Sequence, residues 1–527
     1  MGFVPGMHSE LKNAFQKFRP FNFREHQEEA VEFIIDSAKP IVIVQAPTGS
    51  GKSLIGMCAG ESHLDFTYLV SSKQLQAQLV EDFPEVAVMQ GRNNYRCAYN
   101  PDFTCDDCLH GTLVKCPYYK GGCPYEIEKK KVLASRRRLL NYAYYLFETN
   151  YVGKFSGADI LICDEGDLLE SLLADFISLN IPMYAVNTLK IPKPKYVTAE
   201  ASQGVECWIE WAGTIVMPKI KDRILKLNDQ IESSDIGDPD LLKRTKEKKR
   251  YDGLYARLEI FVANVNTDWI FEESERNGYA FKPIWTPIKL AEHFFFRTSK
   301  KFVLMSATFP PGNIMGQLLG RHPGDFDYYE IPSTFPVKNR QVFVRSAGDL
   351  TYKTFKAEAP KVVDAIGKII SEHPNEKGLV HAVSYKLSEM IMNLNGDVKD
   401  RLITHESKNR EQVLERFKSS EYPLVLVSPS MERGVNLPDD LCQFIIFAKA
   451  PFLSLADKLV KRRVFGSNIG GLWYRSTCAQ TIVQGCGRGV RHKDDYCVTY
   501  LVDKQILRLI VDNRKLFPNY WLEAVEM

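Results

Sequence analysis

Three groups of residues in this chain have types and spacings that could do chemistry. The first is Ala46-Pro47-Thr48-Gly49-Ser50-Gly51-Lys52-Ser53. It follows Ile41-Val42-Ile43-Val44, a β-branched run too short for a buried helix. That order predicts a strand feeding a loop, with a helix from Lys52. Gly49 and Gly51 leave room for backbone N–H groups to close around phosphate oxygens. The helix N-terminus adds partial positive charge. Lys52 is placed to reach β- and γ-phosphates, and the Ser53 hydroxyl to hold Mg²⁺. The pattern opens on Ala46 and reads A-x-x-G-x-G-K-S. Upstream, the amide of Gln27 is a candidate reader of the adenine edge. The chemistry expected here is binding of ATP with Mg²⁺.

The second group is Asp164-Glu165, closing the apolar run Ala158–Cys163. Asp164 is expected to hold Mg²⁺ and Glu165 to orient or deprotonate an attacking water. The third is Gln484-Gly485-Cys486-Gly487-Arg488-Gly489-Val490-Arg491. Arg488 and Arg491 stand three apart, so a helix would put both on one face, as fingers for a γ-phosphate. Ser306-Ala307-Thr308 ends another buried run, where its hydroxyls can bond the acids and relay the nucleotide state. Ser71 and Ser72, after Thr67–Val70, suit either a nucleic-acid phosphate or a helix cap.

Five cysteines, Cys97, Cys105, Cys108, Cys116 and Cys123, crowd into 27 residues with spacing C-x7-C-x2-C-x7-C-x6-C. A structural zinc site usually shows two C-x2-C pairs, and here there is one. An iron–sulfur cluster held by four cysteines is the expectation, with zinc or free thiols as alternatives. The expected ligands are Cys97, Cys108, Cys116 and Cys123, with Cys105 as the alternative. Tyr95, Tyr99, Tyr118, Tyr119 and Tyr125 surround them. Lys129, Lys130, Lys131, Arg136, Arg137 and Arg138 follow on an expected helix, and the mixture suits nucleic acid. A second basic run, Lys243 to Arg250, is expected to be a solvated face, with guidance of a single strand as the alternative.

These groups need elements to hold them. Alternating strands and helices recur after about Gly378, with strands at 378–383, 424–428, 444–447 and 497–502, which predicts a second parallel αβ sheet. Arg433–Pro438 places a flexible backbone after one of them. The predicted division is 1–92 as the first part of one motor domain, 93–140 as a cluster domain and 141–187 as the second part. Residues 188–285 then form a mostly helical insertion, 286–335 the third part and 336–527 a second motor domain. The formal charge of +3 neither supports nor excludes nucleic acid, because local patches decide that. No apolar run reaches membrane-spanning length, so no membrane association is expected. Twelve cysteines then argue for reduced thiols or metal rather than disulfides, in a cytoplasmic protein.

The combination resembles the iron–sulfur superfamily 2 helicases of the XPD/DinG type. The residues that carry it are Ala46–Ser53, Asp164–Asp167, Ser306–Thr308 and Gln484–Arg491. The cysteine segment with its Cys123-Pro124-Tyr125 ending, Asn141-Tyr142 and Ser333–Pro336 add family-specific support. The chain departs at Gly166-Asp167 and at Asn436. The resemblance implies two RecA-like domains, a 4Fe–4S domain and an Arch-like insertion. It also implies ATP-driven 5′→3′ unwinding of DNA. Single-stranded and forked DNA are the expected partners of a monomer in a bacterial or phage-infected cell. Two alternatives are an RNA-directed or non-unwinding translocase and a zinc-containing nucleic-acid-binding module.

Overall fold

A computed structural model of the chain describes residues 23–109, 115–119, 121–195, 202–235, 238–406, 408–429, 437, 439–490 and 494–527. Arg491 and residues 433–436 and 438 lie outside the described residues.

Two seven-stranded sheets, parallel throughout, form the two RecA-like domains. At the centre of the first lie Ile41–Gln45, Ser299–Ser306, Ala158–Asp164 and Phe66–Val70, side by side in that order. Ile41–Gln45 and Phe66–Val70 are buried along their whole length. Their near-continuous Val, Ile and Leu content is what a sheet covered by helices on both faces requires. Gln45 pairs with Ser306, and Asp164 with Met305. The register thus brings the phosphate loop, the acidic pair and Ser306 to one edge. In the second sheet Gly378–His381 lies between Val425–Ser428 and Phe444–Phe447. Val498–Asp503 flanks the latter.

The insertion carries a sheet of its own. Leu179–Ile181, Gly278–Pro283 and Trp269–Ser274 make three antiparallel strands beside the helices Met217–Glu232 and Leu241–Asn264. Trp208, Trp211, Phe261 and Phe281 pack as its aromatic centre. Pairing therefore starts at Leu179, upstream of the expected boundary at 188. Two apolar residues flanking Asn180 are too short a run to announce a strand without their distant partner.

The structure gives several of the basic residues structural partners. The helix after the cysteines is Pro124–Ala134, and Arg137 and Arg138 lie on the next strand, Arg137–Asn141. Arg137 donates to both oxygens of Glu61, at 2.5 and 2.8 Å, and Arg138 to Asp65. Lys129 is buried against Glu148. These cations hold the fold together. The run from Lys243 is also not merely solvated. Lys246 pairs with Asp107, and Lys249 donates to the Cys108 carbonyl at 3.0 Å, docking the insertion onto the cysteine segment. Among the described residues no helix is long and apolar enough to cross a membrane.

Candidate nucleotide site at the domain seam

The helix Lys52–Glu61 starts where the sequence predicts. Gly51 has φ +79°, and a Cβ there would stand 2.3 Å from the Gln27 amide nitrogen, so only glycine fits. Gln27 is 2% exposed. Its amide donates to the Ser50 carbonyl at 2.8 Å and accepts the Arg24 N–H at 2.9 Å, clamping the loop. Lys52 Nζ is held 3.2 Å from the carbonyls of Ala46 and Pro47. Those are neutral partners, which phosphate oxygens can replace.

Asp164 is 5% exposed. It accepts from the Tyr68 hydroxyl at 3.0 Å and from the Glu165 N–H at 2.9 Å. Burial pushes its carboxyl up, against the downward pull of Lys52 and Tyr68. Glu165 accepts from Ser71, and its own backbone is left-handed, φ 50°. Ser72 caps the helix Lys73–Asp82 by accepting the Leu75 N–H. The two serines thus serve the acid and the helix.

Asp167 joins the domains. It accepts from Ser306 at 2.6 Å and from Gln484, on the other domain, at 2.9 Å. The relay expected of Ser306 therefore runs to Asp167. The Tyr520 hydroxyl also crosses the seam to the Ala307 carbonyl, at 2.8 Å. A Cβ on Gly487 would lie 2.9 Å from Thr48 Oγ1. The phosphate loop and the arginine-bearing turn are thus in van der Waals contact.

Arg488 is not on a helix. The helix Gly470–Cys486 stops one residue before Gly487, and Arg488 lies in the turn that follows. Three alternating glycines, Gly485, Gly487 and Gly489, disfavour continuation. The expected shared helical face with Arg491 is therefore lost. Arg488 lines a cavity with His381, His405, Arg410 and Ser428 at the strand ends of its own domain. His381 is 2% exposed, and burial, then the Arg488 charge, pushes its pKa down from 6.5 to about 3. The unfolded chain binds that proton below 6.5 and the folded chain only near 3. Stability should therefore fall as pH drops through that window, by up to about 1.4 kcal/mol per unit. His381→Gln should flatten the slope, as urea midpoints at about pH 7.5 and about 5.5 would show.

Cys105 and Cys123 meet at 3.9 Å, and burial, then Cys123, pushes the Cys105 thiol up to about 12. Cys97 is close enough to contribute a weaker upward push on the same thiol. Cys123 heads the helix Pro124–Ala134. Among the described residues no three His, Cys, Asp or Glu side chains gather as a metal-binding group. Of the five thiols of this segment, Cys105 and Cys123 are in contact.

Two RecA-like domains face each other, with a lysine loop on one and an arginine turn on the other. Residues 366–524 match the helicase C-terminal domain. The chain is 21% identical to the ATP-dependent DNA helicase YoaA of Escherichia coli, over 94% of this chain and 93% of that protein. It is 24% identical over 244 residues to the ATP-dependent DNA helicase CHL1 of Saccharomyces cerevisiae. That match covers 39% of this chain and only 28% of the yeast relative's length. A solved XPD helicase superposes with TM-score 0.65 at 15% identity, covering 96% of this chain and 99% of that one. The Xpd4 structure of S. tokodaii gives 0.56 at 16%, covering 95% and 99%. The chain has the fold of these XPD structures.

Proposed function

We propose that this protein is an ATP-dependent DNA helicase that hydrolyses ATP at the seam and moves 5′→3′ along single-stranded DNA. The observation that carries this reading is Asp167, bonded at once to Ser306 beside the acids and to Gln484 of the facing domain. An ATPase that only bound nucleotide would have no need of such a cross-domain link.

In this reading Lys52 and Ser53 place the phosphates and Mg²⁺, and Asp164 completes the metal's coordination. Glu165 holds the attacking water, with Ser71 fixing its carboxylate. Arg488 approaches the γ-phosphate as the domains close, and Arg491 is the second proposed finger. Gln27 and residues 46–53 form the nucleotide cradle. Opening and closing shift the strand by one step. The cysteine segment supplies four of Cys97, Cys105, Cys108, Cys116 and Cys123 to a 4Fe–4S cluster. The contact between Cys105 and Cys123 favours including Cys105 in that set. Bound there, the cluster would cross-link a segment too small to build a core of its own. The segment would then be firm enough to split a fork.

Strand displacement tests the reading. The purified chain with ATP should unwind a DNA duplex bearing a 5′ single-stranded arm. ATP-dependent displacement of RNA duplexes alone, or none on either, would overturn it. Anaerobically purified protein should be brown, absorb near about 400 nm and carry roughly four irons per chain. Stoichiometric zinc would overturn the cluster assignment. The protein is proposed to act as a cytoplasmic monomer in a bacterial or phage-infected cell.

A further inference from the structure

A short run of buried side chains joins the cysteine segment to the Asp164–Glu165 peptide. Tyr125, two residues past Cys123, is fully buried. Its hydroxyl donates to Glu148 at 3.1 Å and meets the Tyr144 hydroxyl at 2.9 Å. Lys129, one turn further, donates to the other Glu148 oxygen at 2.6 Å. The Arg92 guanidinium lies 4.3 Å over the Tyr125 ring. Tyr144 and Glu148 belong to the short helical stretch that opens at Tyr142. There Asn141 fixes the first turn by accepting the Tyr144 N–H at 2.8 Å, and the Tyr142 hydroxyl donates to the Asp164 carbonyl at 2.8 Å.

That last bond has a specific target. The carbonyl it holds and the Glu165 N–H belong to one rigid peptide plane. The N–H side is already tied to the Asp164 carboxylate. With Tyr142 on the other side, the orientation of both acids is fixed at one point. Glu148, 2% exposed, is a buried charge that stays seated only while Tyr125 and Lys129 pair with it. The Glu148 end of this helical stretch is thus tied to the helix that follows the cysteine segment.

We propose that Tyr125, Tyr144 and Glu148 position Tyr142, and through it the Asp164–Glu165 peptide, so that seating of the cysteine segment sets how tightly Asp164 holds Mg²⁺. The inference rests on the reading of Asp164 as a magnesium ligand. These are positioning residues, acting on the nucleotide only through Asp164.

The test compares the full-length chain with Tyr142→Phe, Tyr144→Phe and the double variant. Binding of a fluorescent ATP analogue is titrated with Mg²⁺, alongside circular dichroism and iron content. Each single variant should raise the half-saturating Mg²⁺ by about tenfold, the order lost when a partner that orients a metal ligand is removed. The double variant should be no worse than the worse single, because both act through one path. Folded Tyr144→Phe with wild-type Mg²⁺ dependence would overturn the proposal, and so would shifts that multiply in the double variant. Glu148→Gln strands Lys129 and endangers folding, so the phenylalanine variants, which keep the ring packing, carry the test. If the unaltered chain binds no Mg²⁺–nucleotide, the assignment of the site falls first and the proposal with it.

Discussion

Arg488→Ala is expected to lower DNA-stimulated ATP turnover by about 10³–10⁵-fold, the range a transition-state arginine supplies. The KM for ATP should stay within several-fold, because the loss is of an interaction made as charge develops and not in the ground state. A Cβ on Gly487 would stand 2.9 Å from Thr48 Oγ1, which puts Arg488 one residue from the point where its turn comes closest to the phosphate loop. In the present state Arg488 lies against His381, which is neutral because burial and the arginine itself hold its pKa near 3. Arg488→Lys should recover little, since a point charge does not reproduce the planar fork. Steady-state kinetics with saturating single-stranded DNA would decide. Turnover within tenfold of the unaltered chain would remove Arg488 from the mechanism.

Lys52→Ala should cost turnover at least about 10²–10³-fold, comparable with losing one preorganised donor to developing charge. It should also weaken nucleotide binding, unlike the arginine variant. Lys52 is satisfied at rest by two carbonyls of its own loop, and exchanging them for phosphate oxygens replaces neutral acceptors by charged ones. The variant also removes the positive charge that opposes the effect of burial on Asp164. Hydrolysis retained in Lys52→Ala would refute the site.

The phosphate loop was legible because its chemistry is local: strand, glycines, lysine and serine are consecutive, and backbone geometry follows from them. The acidic pair and the strands at 378–381, 425–428 and 444–447 were legible for the same reason. What could not be read depends on distant partners. Gln484 meets Asp167 across 317 positions of sequence, and nothing near either residue announces it. Tyr68 and Tyr142 look like ordinary core aromatics until the fold puts their hydroxyls on Asp164. The basic residues failed differently. A run of lysines and arginines reads as a surface for polyanions, yet Arg137, Arg138 and Lys129 are spent on Glu61, Asp65 and Glu148. The helix assigned to Arg488 failed because periodicity was credited where three glycines weaken it.

Arg463 lies on the helix Lys458–Phe465 of the second domain and is 5% exposed. Its guanidinium donates to the Ile284 carbonyl at 2.6 Å and to Glu170 at 2.5 Å, with Trp285 and Trp473 about 5 Å away as centroids. Pulling it out would part the buried Arg463 guanidinium from the half-buried Glu170 carboxylate, a destabilising loss. Arg463 thus ties the second domain to the first domain and to the insertion. With the second domain fastened at this corner to both at once, any opening of the seam must break these bonds or bend around them.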